Sequence, residues 1–206
     1  MPAVSQFFAY WLCYLPLRWI FRPTVIGFER INFNRRRPTI IAANHTSRID
    51  PALLALLPWS VVRTIVPVHF LTADKYYRKW WLRPLIQPLG AYRLNPKSWT
   101  WEGYLGESLA LLRRGRTIML FPEGKLNPTG QAFPAKPGVI MLAATTGAQV
   151  LPLKIAWAAG SWMRCLVRNI PMVMLTLGTP LHFERHEDPR GYRDEADNLL
   201  QRIYNL

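Results

Sequence analysis

Thr117-Ile118-Met119-Leu120-Phe121-Pro122-Glu123-Gly124 puts a carboxylate and a glycine turn directly after an apolar run. Thr39-Ile40-Ile41-Ala42-Ala43-Asn44-His45-Thr46-Ser47-Arg48-Ile49-Asp50-Pro51 does something similar upstream, with a histidine at the end of the run and an aspartate before a proline. Short apolar runs that end in polar, glycine or proline residues read as buried strands. Working outward, the same pattern predicts strands at Thr64–Leu71, Val150–Ala156 and Met172–Leu177. Helical spacing predicts helices over Pro51–Leu57, Trp101–Arg113, Val139–Thr146 and Tyr192–Tyr204, the last with Leu199, Leu200 and Ile203 on one face. Gly115 and Gly147 stand where helix C-caps belong. Strands alternating with helices define an α/β class. Val139 to Gly160 is the longest apolar region, but Gln149, Pro152 and Lys154 interrupt it, so it reads as a helix followed by a buried strand.

With 206 residues the chain suits one core-bearing domain, taken as 25–206, preceded by an extension over 1–24. Half of the residues are hydrophobic, which excludes disorder, and the net charge of +14 calls for an anionic partner. Nine tryptophans point to the kind of partner. Arg18-Trp19 and Arg78-Lys79-Trp80-Trp81-Leu82-Arg83 set indoles beside cations, which suits a lipid headgroup layer. The plainer alternative is core aromatics beside solvated charges. A nucleic acid fits less well, since no recognised binding signature is present and the aromatics cluster with an apolar N-terminus. Ala3 to Leu17 carries no charge and five aromatics. As a helix it would span about 22 Å, short of the ~30 Å hydrocarbon core. It is therefore expected to be an interfacial or partly inserted anchor, or a helix packed on the domain, and not a signal peptide. Cys13 and Cys165 have no partner spacing, so neither a disulfide framework nor a metal site is expected.

The spacing His-x-x-x-x-Asp occurs twice, at His45–Asp50 and at His69–Asp74, so context must choose between them. His45 follows a strand and precedes a helix opening at Pro51, where open α/β sheets place their sites. Asp50 is then expected at the N-cap. His69 lies inside a strand-like run and reads as a hydrogen-bonded core residue. A neutral imidazole can take the proton from an attacking hydroxyl, and a carboxylate on its other nitrogen fixes the tautomer. Asp50 can do this if the loop turns back, and capping alone is its structural alternative. Taken alone, Phe121-Pro122-Glu123-Gly124 is a strand-exit turn.

Together the two blocks resemble the signature blocks of the glycerolipid acyltransferases, the family of the 1-acylglycerol-3-phosphate acyltransferases. The resemblance covers most of the chain after about residue 25. Val150-Leu151-Pro152-Leu153, Gly178-Thr179-Pro180 and Lys136-Pro137-Gly138 add weaker matches. It implies one α/β domain with a central mixed sheet flanked by helices, behind a membrane-interacting N-terminal helix. It implies His45 as base, Asp50 as its partner, and an acceptor pocket shaped by Phe121, Pro122, Glu123 and Gly124, with Asn44 in the loop. Two departures stand out. Lys125-Leu126-Asn127 follows the glutamate block where the family often has Thr-Arg, leaving Lys125 as a point charge. Arg93 comes sooner after Gly90-Ala91 than the family's phosphate-binding arginine does, which makes Lys97 its rival. The implied reaction is acyl transfer from acyl-CoA or acyl carrier protein to a lysophospholipid, at an anionic membrane surface on the cytoplasmic face, with no cofactor. Direct transfer is expected over an acyl-enzyme, because neither cysteine is activated and Thr46 and Ser47 are weak candidates. Another lysolipid or an aminolipid as acceptor, and a silent membrane-binding module, are the rival readings.

Overall fold

The computed structural model describes residues 2–31, 37–72, 74–95, 97–129, 134–158 and 170–206. Cys165 and Gly160 lie outside these residues. Seven strands form one mixed sheet: β1 (Thr24–Ile26), β2 (Thr39–Ala43), β3 (Val68–Leu71), β4 (Ala91–Tyr92), β5 (Thr117–Leu120), β6 (Gln149–Trp157) and β7 (Val173–Leu177). Their order is β1-β7-β6-β2-β5-β3-β4. Strands β2 to β6 run parallel, β7 is antiparallel to β6, and β1 is parallel to β7. The helices are α1 (Pro2–Phe21), α2 (Trp59–Ile65), α3 (Asp74–Tyr77), α4 (Arg83–Ile86), α5 (Trp101–Tyr104), α6 (Gly106–Arg113), α7 (Gly138–Thr146) and α8 (Pro189–Tyr204).

Every residue of β2 and of β5 is buried, because both strands are central and covered on both faces. Alternation then sorts the side chains between two cores. Ile40, Ala42, Ile118 and Leu120 meet α6, α7 and α8, while Ile41, Ala43 and Met119 meet α1, α2 and the 3₁₀ helix Asp50–Leu56. The chain leaving β2 crosses one face to reach β3. The chain leaving β5 crosses the other face to reach β6. Adjacent strands whose connections part in this way open a crevice at their carboxyl ends.

The predicted strand Thr64–Leu71 divides in the structure. Residues Trp59–Ile65 are helical, and only Val68–Leu71 join the sheet. Pro67 has no N–H and removes the preceding residue from helical geometry, so the helix ends before it. The predicted helix Trp101–Arg113 likewise breaks into α5 and α6 at Leu105.

Helix α1 is docked on the domain. Tyr10 is buried, and Tyr14, Leu17 and Phe21 pack behind it on the same core. Gln6 ties the helix to the sheet, accepting from the Val68 N–H and donating to the Val68 and Leu89 carbonyls. The opposite face is apolar and exposed. Val4, Phe8, Trp11, Leu12, Leu15 and Trp19 follow one another at helical spacing, each at least 60% exposed. Among the described residues, no helix is long and apolar enough to cross a membrane.

Candidate active site

Beyond Ala43 the chain turns through Asn44. Asn44 is 2% exposed, donates to the Ile155 carbonyl and accepts from the Ile155 N–H, at 2.9 and 2.7 Å. It replaces a rung of the ladder to β6 and so fixes where the next residue emerges.

That residue is His45. Its Nδ1 lies 2.9 Å from Asp50 Oδ2. The same oxygen accepts the Thr46 and Ser47 N–H groups, each at 2.8 Å. The expectation of Asp50 as N-cap is corrected here. Ile49 holds that position without a side-chain cap, and Asp50 is the first residue of the 3₁₀ helix. Its fully buried carboxylate turns back to close the loop. A carboxylate accepts only from a protonated nitrogen, so the hydrogen bond assigns the proton of the neutral ring to Nδ1 and the lone pair to Nε2. The ring stacks on Phe121 at 4.0 Å and 15° and keeps 21% of its side chain exposed.

Glu123, to which the resemblance gives a part in shaping the acceptor pocket, is 2% exposed, and its carboxylate faces inward. Oε2 accepts the His45 N–H at 3.0 Å, and Oε1 accepts from Asn127 Nδ2 at 3.1 Å and from the Tyr204 hydroxyl. The Asn127 N–H closes on the His45 carbonyl at 2.6 Å. Both peptide groups flanking the His45 side chain are thus held by the glutamate block. Pro122 is buried, and its carbonyl accepts the Lys136 N–H. Gly124 turns at φ +65°, where a side chain is strained. A methyl group there would also collide with Lys136, whose Nζ would lie only 2.8 Å from it. Lys136 therefore rests its cation on this turn. Lys125 is exposed beside it.

The N–H groups around the His45 ring are already engaged. Those of His45, Thr46 and Ser47 go to carboxylates, and that of Gly124 goes to the Phe121 carbonyl. Thr46 Oγ accepts from the Trp157 indole N–H at 3.1 Å, which ties the loop to the end of β6.

The second histidine is placed elsewhere. His69, half-buried on β3, lines an open polar groove of about 1140 Å³ with Asp74, Arg78, Arg93, Lys97 and Arg114. Burial, then the charge of Arg116, lowers its pKa below the usual histidine value. Asp74 pairs with Arg93 at 3.3 Å and with Arg78 at 3.6 Å. The Arg93 guanidinium also stands over the Tyr77 ring. Arg93 follows β4, two strands beyond β5, so it stands roughly 10 Å along the sheet from the Phe121 strand.

Beside the His45 loop an apolar cavity of about 380 Å³ runs beneath α1. Arg48 and Ile49 stand at the loop, Tyr10, Cys13 and Ile65 form its walls, and Gln6 and Leu89 lie toward the start of β3. Sequence reasoning missed Asn127, Tyr204 and Trp157 as parts of the site. They come from distant segments and carry no local signal. Only the amphipathic spacing of α8 announced where Tyr204 would be held.

A buried carboxylate that orients an imidazole, at the carboxyl ends of parallel strands in an α/β sheet, is an arrangement that can support general-base chemistry. The family model described as Acyltransferase matches residues 24–156, more than half of the chain. The chain belongs to that family. A 1-acyl-sn-glycerol-3-phosphate acyltransferase of Borreliella burgdorferi is 26% identical over 132 residues, 64% of this chain and 50% of the relative. The chain thus spans about half the length of that curated relative. The crystal structure of the 1-acyl-sn-glycerophosphate (LPA) acyltransferase PlsC of Thermotoga maritima superposes with a TM-score of 0.61 at 23% identity. That match covers 89% of this chain and 71% of the other, and at this identity it speaks for the fold.

Proposed function

We propose that this chain is a membrane-associated O-acyltransferase. In this reading it moves a fatty acyl group from a thioester, on coenzyme A or acyl carrier protein, to the free glycerol hydroxyl of a lysophospholipid. The acceptor it suits best is 1-acylglycerol-3-phosphate, and the product is then phosphatidic acid. The observation that carries the reading is the His45–Asp50 pair, 2.9 Å apart, in a loop whose Arg48 and Ile49 border an apolar cavity. His45 Nε2 takes the proton of the acceptor hydroxyl as its oxygen attacks the thioester carbonyl carbon. The tetrahedral intermediate collapses, the C–S bond breaks, and the imidazolium returns the proton to the departing thiolate. Asp50 stabilises the imidazolium between these steps. The cavity under α1 has the size and lining of a lipid-tail site. Lys136, held against Gly124, and Lys97, in the groove beyond β4, supply cations for the acceptor phosphate. The printed name of the Borreliella relative agrees with this acceptor.

Arg93 favours a second reading within the same chemistry. Its guanidinium is committed to Asp74 and Tyr77, which fits an acceptor whose headgroup lacks a terminal phosphate. Acyl transfer from labelled acyl-CoA and acyl carrier protein to a panel of lysophospholipids separates the two. Preference for the phosphate monoester is the expected result. Equal rates with lysolipids that lack one would move the assignment to the second reading, and no transfer at all would sink both.

The exposed stripe on α1 supports docking of the helix in the plane of one leaflet. Trp80 and Trp81, exposed beside Lys79 and Arg83, extend the same chemistry toward anionic headgroups. Trp11→Glu with Leu15→Glu removes two apolar side chains that lie 60% and 71% exposed. At about 1.5–3 kcal/mol for each large side chain buried, the double variant is expected to weaken vesicle binding at least tenfold. Sedimentation with vesicles containing an anionic phospholipid measures this. Undiminished binding would remove α1 from the membrane surface.

A further inference from the structure

We infer that Tyr204, the last residue of α8, is a positioning residue for the reaction. Its hydroxyl sets the Glu123 carboxylate that holds the His45 backbone. The inference rests on the proposed role of His45 and adds to it a segment beyond residues 24–156, the part that the family model matches.

The geometry comes from two ends. Helix α8 starts from Asp188, whose side chain caps the Arg190 N–H at 2.8 Å. It buries Ala196, Leu199, Leu200 and Ile203 against α7 and the sheet, which fixes both its rotation and its depth. Midway, Asp197 Oδ1 accepts the Ala135 N–H at 2.6 Å, beside the residue that rests on Gly124. At the end, the Tyr204 carbonyl accepts Lys154 Nζ at 2.7 Å. A side chain held this firmly puts its hydroxyl where it donates to Glu123 Oε1 and accepts from Asn127 Nδ2 at 3.0 Å. With Oε1 occupied by Tyr204 and Asn127, Oε2 is left facing the His45 N–H. Without the hydroxyl the carboxylate loses one of the two donors on Oε1 and gains freedom to turn from that N–H. Burial, then the hydrogen bond to Glu123 and the charge of Glu123, holds the phenol pKa well above the ordinary tyrosine value. The group therefore stays a donor throughout the working range of pH.

Tyr204→Phe in the full chain keeps the ring and removes only the hydroxyl. A hydrogen bond to a charged partner supports an expected fall in kcat of about tenfold or more. KM for both substrates should hold within about twofold, with an unchanged thermal midpoint and a shifted His45 amide resonance in ¹⁵N–¹H spectra. In a Glu123→Gln background the same change should cost little, because the two groups act as one unit. Wild-type kcat with an unmoved His45 resonance in Tyr204→Phe overturns the inference. So does a loss accompanied by a lower midpoint, since that assigns the effect to docking of the helix. His45→Ala in the same assay keeps the two levels apart. Full activity there removes the base itself, whereas loss there with none in Tyr204→Phe removes only the positioning role.

Discussion

His45→Ala is expected to lower kcat by about 10²–10⁴, the usual contribution of a positioned general base. The fold should survive the change. The side chain is 21% exposed, and besides its hydrogen bond to Asp50 the change loses the stack on Phe121, worth roughly 0.5–1.5 kcal/mol. Asp50 would keep the Thr46 and Ser47 N–H groups, so its buried charge would not be stranded. The chemical loss of about 3–5 kcal/mol in barrier, the same 10²–10⁴ expressed as energy, then exceeds the structural one. Thiol release from acyl-CoA in the presence of lysophospholipid, measured beside thermal midpoints, reads both. His69→Ala serves as the control for kcat, since that ring lines the groove that holds Lys97, where a change should be read in KM for the acceptor. Wild-type kcat in His45→Ala would end the mechanism proposed here.

Asp50→Asn isolates the charge from the geometry. Three donors converge on Oδ2: His45 Nδ1 and the Thr46 and Ser47 N–H groups. An asparagine can offer its amide oxygen to all three, so the loop should close as before. What it lacks is the negative charge that favours the imidazolium while His45 carries the substrate proton. A fall in kcat of roughly 10²–10⁴ with little change in KM is expected, by analogy with triads whose aspartate is replaced in this way. Asp50→Ala should do this and also unfold the loop, orphaning buried donors at about 1–3 kcal/mol each. Asp50 would be structural only if Asp50→Asn kept full activity while Asp50→Ala lost its midpoint.

The strands at Thr39–Ala43 and Thr117–Leu120 were legible because central parallel strands are apolar on both faces and announce themselves as continuous runs. The strand ends made His45 and Phe121-Pro122-Glu123-Gly124 legible as neighbours of a crevice. The run Thr64–Leu71 misled, because an apolar stretch reads alike as buried helix or strand until Pro67 is given its full weight. Asp50 misled in another way. Its place before Pro51 suits a cap, but the nearer demand came from three donors in the loop behind it.

Periodicity and turn chemistry act over a few residues, so the chain alone specified the central strands, the amphipathic last helix and the loop that carries His45. The partners that hold His45 are of another kind. Glu123 meets it across 78 positions, Tyr204 meets Glu123 across 81, and Asn44 reaches Ile155 across 111. Closing such distances has an entropic cost that no local pattern records. Folding offsets it by burying two cores at once, and burial then dictates which polar groups must find each other. The orientation of the Asp50 carboxylate, the inward turn of Glu123 and the arrival of Tyr204 are consequences of that packing.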